Sequence, residues 1–189
     1  MSFLDKVAAA IMPPESEQDR AEARAKAEGL SQGDDWLGLA LDHHRQIEAS
    51  FARALDPAAD APARREAVKD LALVLNGHSL AEEVVLYPAL VEAGSKAGAT
   101  LAYEEQSMTK VQMHLLETLD PMGEEWREKL EHIQGAVKHH IYEEESTWFP
   151  ALVKNSDPSM SSMLTQRFTQ EYERYAGGNR LEEPMSELA

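Results

Sequence analysis

Cysteine is missing from this chain of 189 residues. Its absence removes disulfides, zinc-thiolate sites, iron–sulfur clusters and a thiol nucleophile, so any metal must be held by His, Glu, Asp, Gln or Tyr. Basic residues are scarce: 18 Lys and Arg stand against 34 Asp and Glu, a net charge of −16. Phosphate backbones and anionic lipid surfaces attract a basic face, so neither a nucleic-acid nor a membrane partner is expected. Strand-length β-branched alternation is lacking, which argues against a sheet. No apolar run is long enough to span a membrane, and the opening stretch MSFLDKVAAAIMPPESEQ is too short and interrupted for a signal peptide. The expectation is a soluble cytoplasmic protein. A phosphate loop, a nucleophile constellation and an acid/base pair that would define an organic substrate are lacking as well.

What is present is helical periodicity along almost the whole chain. A short amphipathic helix is predicted over 3–12, with Phe3, Leu4, Val7 and Ile11 on one side and Pro13-Pro14 closing it. A polar helix follows over 16–29. Four long helices come next, over 34–55, 62–93, 98–119 and 122–154, separated by Asp-Pro or Gly breaks. Asp157-Pro158 reads as the cap and first turn of a last helix reaching Tyr175, with Gly177-Gly178 ending it and the last eleven residues loose. Four long helices joined by short loops predict an all-α, antiparallel up-down-up-down four-helix bundle. The expected organisation is an N-terminal helical extension over 1–33, the bundle over 34–155, and a C-terminal helix and tail over 156–189.

One motif occurs twice. His78-Ser-Leu-Ala-Glu82-Glu83-Val-Val-Leu-Tyr87-Pro88-Ala89-Leu90 is matched by His140-Ile-Tyr-Glu-Glu144-Glu145-Ser-Thr-Trp-Phe149-Pro150-Ala151-Leu152, 62 residues later. His and Glu four apart on a helix lie about 40° apart around its axis, one turn along it, and reach one point in space. Both pairs fall inside apolar stripes. On the second long helix the stripe is Leu71, Val74, Leu75, His78, Glu82, Val85, Leu86 and Ala89. On the fourth it is Ile133, Val137, His140, Ile141, Glu144 and Trp148. An unpaired charge is expensive there and must be compensated. Pro88 and Pro150 each remove one backbone hydrogen bond late in a helix and are expected to bend it.

The same offset lays His44 of the first long helix over Gln106 of the third, so the bundle reads as a duplicated helical hairpin. By this alignment one metal takes His44 and His78, the other takes Gln106 and His140, and Glu82 and Glu144 bridge them. A carboxylate-rich nitrogen and oxygen donor set suits a pair of iron ions. Ferritin-like ligation uses Glu-x-x-His, and none of the seven histidines has Glu three residues before it. Zinc sites are usually four-coordinate and need no pair of bridging carboxylates.

The order His … His-x-x-x-Glu … His-x-x-x-Glu, with Leu41-Asp42-His43-His44-Arg45-Gln46-Ile47-Glu48 ahead of it, resembles the hemerythrin-like, HHE cation-binding domain family over about 35–155. The resemblance implies a non-haem diiron centre, two iron ions bridged by oxo or hydroxo, that binds or senses dioxygen or reacts with peroxide. It points to His44 rather than His43. One position departs: the third-helix histidine of the family falls on Gln106, which can ligate through its carbonyl oxygen or hold a water. His114 lies too far along the helix to replace it, and Tyr103, one turn before Gln106, is a remote phenolate candidate. Glu48, Glu83 and Glu145 are expected behind the ligands or in solvent. Trp148, Tyr142, Phe51, Met108 and Met113 are expected in the core, with Ile47, Leu75, Val111 and Val137 as the apolar wall. Two other uses fit the same residues. One is an iron-buffering or iron- and oxygen-regulated module that offers its extra helices to a protein partner. The other is a weak peroxidase or catalase-like diiron enzyme.

Overall fold

The computed structural model describes residues 15–180. The helix expected over 3–12 and the tail beyond residue 180 lie outside them. Helix α1 covers Glu17–Glu28, α2 Trp36–Ala54 and α3 Ala61–Ala81. A π-helical turn, Glu82–Leu86, follows α3 and leads into the short α4, Tyr87–Glu92. Helix α5 is Lys96–Leu116 and α6 is Glu124–Glu143. A second π-turn, Glu144–Trp148, leads into α7, Phe149–Asn155, and α8 covers Pro158–Arg180. No strand occurs among the described residues. The four-helix bundle consists of α2, α3–α4, α5 and α6–α7.

Local chemistry explains the breaks. Asp35 and Asp60 cap α2 and α3 by accepting from the third backbone N–H of each helix, and Gly94, at a φ of 94°, turns the chain after α4. The two long helices expected over 62–93 and 122–154 are not continuous. Pro88 and Pro150 have no N–H to give to the fourth carbonyl back. In the turn before each, the Tyr87 N–H reaches Glu82 C=O and the Phe149 N–H reaches Glu144 C=O, the five-residue step of a π-helix. Each π-turn opens on the glutamate of the repeated motif.

Hydrophobic side chains form two blocks with a polar belt between them. Trp36, Leu41, Leu86, Tyr87, Ala102, Trp148, Phe149 and Phe168 belong to one. Ile47, Phe51, Leu71, Leu75, Met113, Leu130, Val137 and Ile141 belong to the other. His44, His78, Gln106 and His140 fall along their helices where one block gives way to the next, and all four are buried. Helix α1 packs on α2, α6 and the second π-turn, while α8 lies along α3 and α2. Gly77 sets the α3–α8 spacing, because a Cβ there would meet Tyr172 at 3.1 Å and Tyr175 at 3.3 Å. Helix α8 does not stop at Gly177-Gly178 but runs to Arg180. A helical glycine costs only about 1 kcal/mol against alanine, less than the packing of the helix can offset.

Candidate metal centre

On α2 and α3, His44 and His78 turn their Nε2 atoms to the middle of the belt. His44 Nε2 stands 3.2 Å from Glu144 Oε2, and His78 Nε2 stands 3.2 Å from Glu82 Oε1. One ligand atom from each of these four buried residues lies within 4.8 Å of the others. Behind them, His44 Nδ1 meets Glu145 Oε1 at 2.7 Å. This carboxylate assigns the proton to Nδ1 and leaves the Nε2 lone pair facing the centre.

The other side of the belt is built from the second hairpin and Tyr87. His140 Nε2 is 3.3 Å from Glu144 Oε1, and its Nδ1 meets Glu105 at 2.8 Å. The Tyr87 hydroxyl lies 2.9 Å from Glu144 Oε1, 3.3 Å from Glu82 Oε2 and 3.1 Å from His140 Nε2. The Gln106 amide nitrogen donates to Glu82 Oε2 and to the Tyr87 oxygen, each at 2.6 Å. Glu82 and Glu144 therefore each turn one oxygen to the His44 side and the other to the His140 side. A carboxylate bridging two metal ions has that disposition.

Unmet polar atoms test whether a metal fits. His44 Nε2, Glu82 Oε1 and Glu144 Oε2 are buried without a hydrogen-bond partner, although the first and last are only 3.2 Å apart. Buried polar atoms are nearly always partnered, and three lone-pair donors aimed at one point call for a cation. The donor set fits a hard to borderline divalent metal. The Gln106 carbonyl oxygen is also unpartnered.

Electrostatics agree. Burial and then the charge of Glu144 push the Glu82 carboxyl well above the usual carboxylate range. Burial opposes ionisation of Glu144 too, but His140 and His44 prevail and hold it well below that range. His44 and His140 are raised in spite of burial, by Glu144 and Glu145 in one case and Glu144 and Glu105 in the other. His78, buried beside His44 and His43, is pushed well down. Metal ligands bind in their deprotonated forms, so metal uptake by groups raised in this way should release protons.

Beside the centre is a cavity of about 10 Å³, walled by Ile47, Leu75, Val137 and Ile141 and reached by His78, Gln106, Thr109 and His140. It holds about one water-sized guest.

The family model for the hemerythrin HHE cation binding domain matches residues 39–152. The chain belongs to that family. A solved hemerythrin HHE cation binding domain-containing protein from Mycobacterium kansasii is similar in fold, with a TM-score of 0.69 and 20% identity over 80% of this chain and 93% of that one. A protein of Nostoc sp. named "DNA nickase" is 30% identical over 98 residues, 52% of this chain. The chain spans about a quarter (27%) of that relative's length.

All six residues singled out in the sequence, His44, His78, Glu82, Gln106, His140 and Glu144, converge on this one HHE centre. Tyr87 was not expected among them. In continuous α-helix it would sit about 140° around the axis from Glu82, but the wider π-turn returns its ring to the same face. Tyr103 does not reach the centre; it is partly exposed and its hydroxyl donates to the Glu83 carbonyl. Glu145 is buried behind His44 while Glu83 pairs with Lys110. His44 rather than His43 enters the centre, and His43 is buried as well, on another face of α2. His43 stacks on Tyr172 of α8, which covers what would otherwise be an outer face. Val111 and Met108 are exposed, so neither serves the wall or the core.

Proposed function

We propose that this HHE domain holds two iron ions and presents an open coordination position to dioxygen or peroxide, as binder or sensor. The observation that carries the reading is the divided orientation of Glu82 and Glu144, with unpartnered lone pairs on the His44 side. His44 and His78 would hold one ion, His140 with Gln106 the other, and the two carboxylates both. Bound iron would supply reversible electron transfer to a small oxidant.

The protein's own groups do the rest. Ile47, Leu75, Val137 and Ile141 exclude bulk water and limit the guest to a few atoms. Glu145 and Glu105 fix the ring orientations of His44 and His140. Tyr87, whose phenol burial and then the charges of Glu144 and Glu82 keep protonated, offers a hydrogen to the carboxylates. Residues 34–155 are the functional unit in this reading, with α1 and α8 packed against it.

Metal analysis with an optical spectrum on protein from iron-rich medium tests the proposal. About two irons per chain and an absorption band that responds reversibly to oxygen are expected. Absence of iron, or zinc in its place, would overturn it. Sustained turnover of peroxide would instead favour a peroxidase or catalase-like role for the same centre.

A further inference from the structure

Helix α1 sends one side chain into the support of the centre. The Arg24 guanidinium grips two carboxylates at once. Its Nε lies 3.0 Å and 3.2 Å from the Glu145 oxygens, one terminal nitrogen is 2.9 Å from Glu145 Oε1, and both terminal nitrogens meet Glu48 at 2.7 Å and 3.1 Å. Glu145 Oε1 is the atom that receives His44 Nδ1. A continuous line therefore runs from a helix 121 residues away in sequence, through one buried carboxylate, to the imidazole whose Nε2 is unpartnered. Glu145 is 1% exposed, where a carboxylate needs a charged partner, and Arg24 faces it with a planar fork that lysine cannot reproduce. Among the described residues no such guanidinium stands behind His140, whose Glu105 is partly exposed.

We infer that Arg24 is a positioning residue for the metal held by His44: it fixes Glu145, and Glu145 fixes the imidazole. The inference rests on the metal-binding reading above and goes beyond it by making α1 part of the centre. Metal on the His44 side should weaken when the fork is lost, while metal on the His140 side should not. The effect should also pass through Glu145, so removing both members should cost no more than removing one.

Metal-free protein titrated with Co²⁺, followed by its visible bands, separates the outcomes. Wild type is expected to take up two equivalents. Arg24→Gln and Glu145→Gln should each weaken one equivalent by about 10- to 100-fold and shift the bands of that site alone. The double variant should match the singles rather than multiply them. Arg24→Lys, which keeps the charge without the fork, should fall between wild type and Arg24→Gln, and carries the same test if Arg24→Gln does not fold. Arg20→Gln, on the same helix but paired with Glu15 and Glu17, should bind as wild type. Unaltered cobalt binding in the Arg24 variants would overturn the inference and leave the diiron proposal standing, as would equal weakening in Arg20→Gln. A wild-type chain that takes up no metal would overturn both.

Discussion

The two halves of the centre descend from one repeated pattern yet meet their burden of buried polar atoms differently. On the side of His44 and His78, His44 Nε2, Glu82 Oε1 and Glu144 Oε2 converge without a hydrogen-bond partner. Around His140, the Gln106 amide and the Tyr87 hydroxyl fill the equivalent space with hydrogen bonds. Phe149, the counterpart of Tyr87 in the repeat, only stacks on His44, with ring centroids 5.9 Å apart. Support is exchanged in the same way. His44 is backed by Glu145 while His78 Nδ1 has no partner, and His140 is backed by Glu105 while the Gln106 carbonyl oxygen has no partner. Each half thus keeps one carboxylate-backed imidazole. The first half leaves its inner atoms unpartnered, and the second partners its carboxylate oxygens within the protein.

The largest expected effect comes from removing what the halves share. Glu82→Gln with Glu144→Gln should weaken both metals by more than about 100-fold, read as metal retained per chain after gel filtration. Retention of a full complement would mean that the carboxylates do not bridge. Next is Tyr87→Phe, which takes one hydroxyl, a donor to the carboxylates and an acceptor for Gln106, from the second half alone. The acceptors left on Glu144 and Glu82 should cost the metal-free protein about 1–3 kcal/mol, seen as a lower urea midpoint, with the first metal's affinity unchanged. Gln106→His should then erase the difference. It restores the imidazole that the repeat calls for, and the second equivalent should bind about tenfold tighter, bringing the two dissociation constants together in an iron or cobalt titration.

Much of this asymmetry is legible in the sequence alone. The offset of 62 residues between His78 and His140 predicts the hairpin duplication, the shared ligand face and the odd place of Gln106, because those depend only on α-helical period over one turn. Tyr87 was hidden because the period changes at Glu82, and a proline six residues on does not by itself announce a π-turn. The surroundings of His43 and Val111 escape the pattern for a related reason. Period tells which residues share a face of a helix, not which other helix covers that face. Helix α8 covers His43, and nothing among the described residues covers Val111. Arg24 lay in a helix that reads as polar and peripheral, where an arginine looks solvated until its two carboxylates are seen beside it.

The smallest effect concerns what lies behind His78. The repeat places His43 where the second hairpin has Glu105, so one half backs its imidazole with a carboxylate and the other sets a second imidazole 5.5 Å from it, centroid to centroid. Burial, and then the neighbouring His44, lower His43 to about 4, against a small opposing pull from Asp42. Phe168 and Tyr172 of α8 stack on it and offer no charge. The unfolded chain takes up this proton near pH 6.5 and the folded one only near pH 4. Stability from His43 is therefore present above 6.5 and is lost as the pH falls through that window. Between pH 7 and pH 5.5 the loss should be about 1 kcal/mol. The raised groups, His44 and His140, lose nothing on that descent, since their contribution is full below 6.5. His43→Phe keeps the stack and removes the titration, so urea midpoints of metal-free wild type and variant should diverge between pH 7 and pH 5.5. Parallel curves would mean that His43 reaches solvent and takes its proton there, and that α8 does not seal the first half.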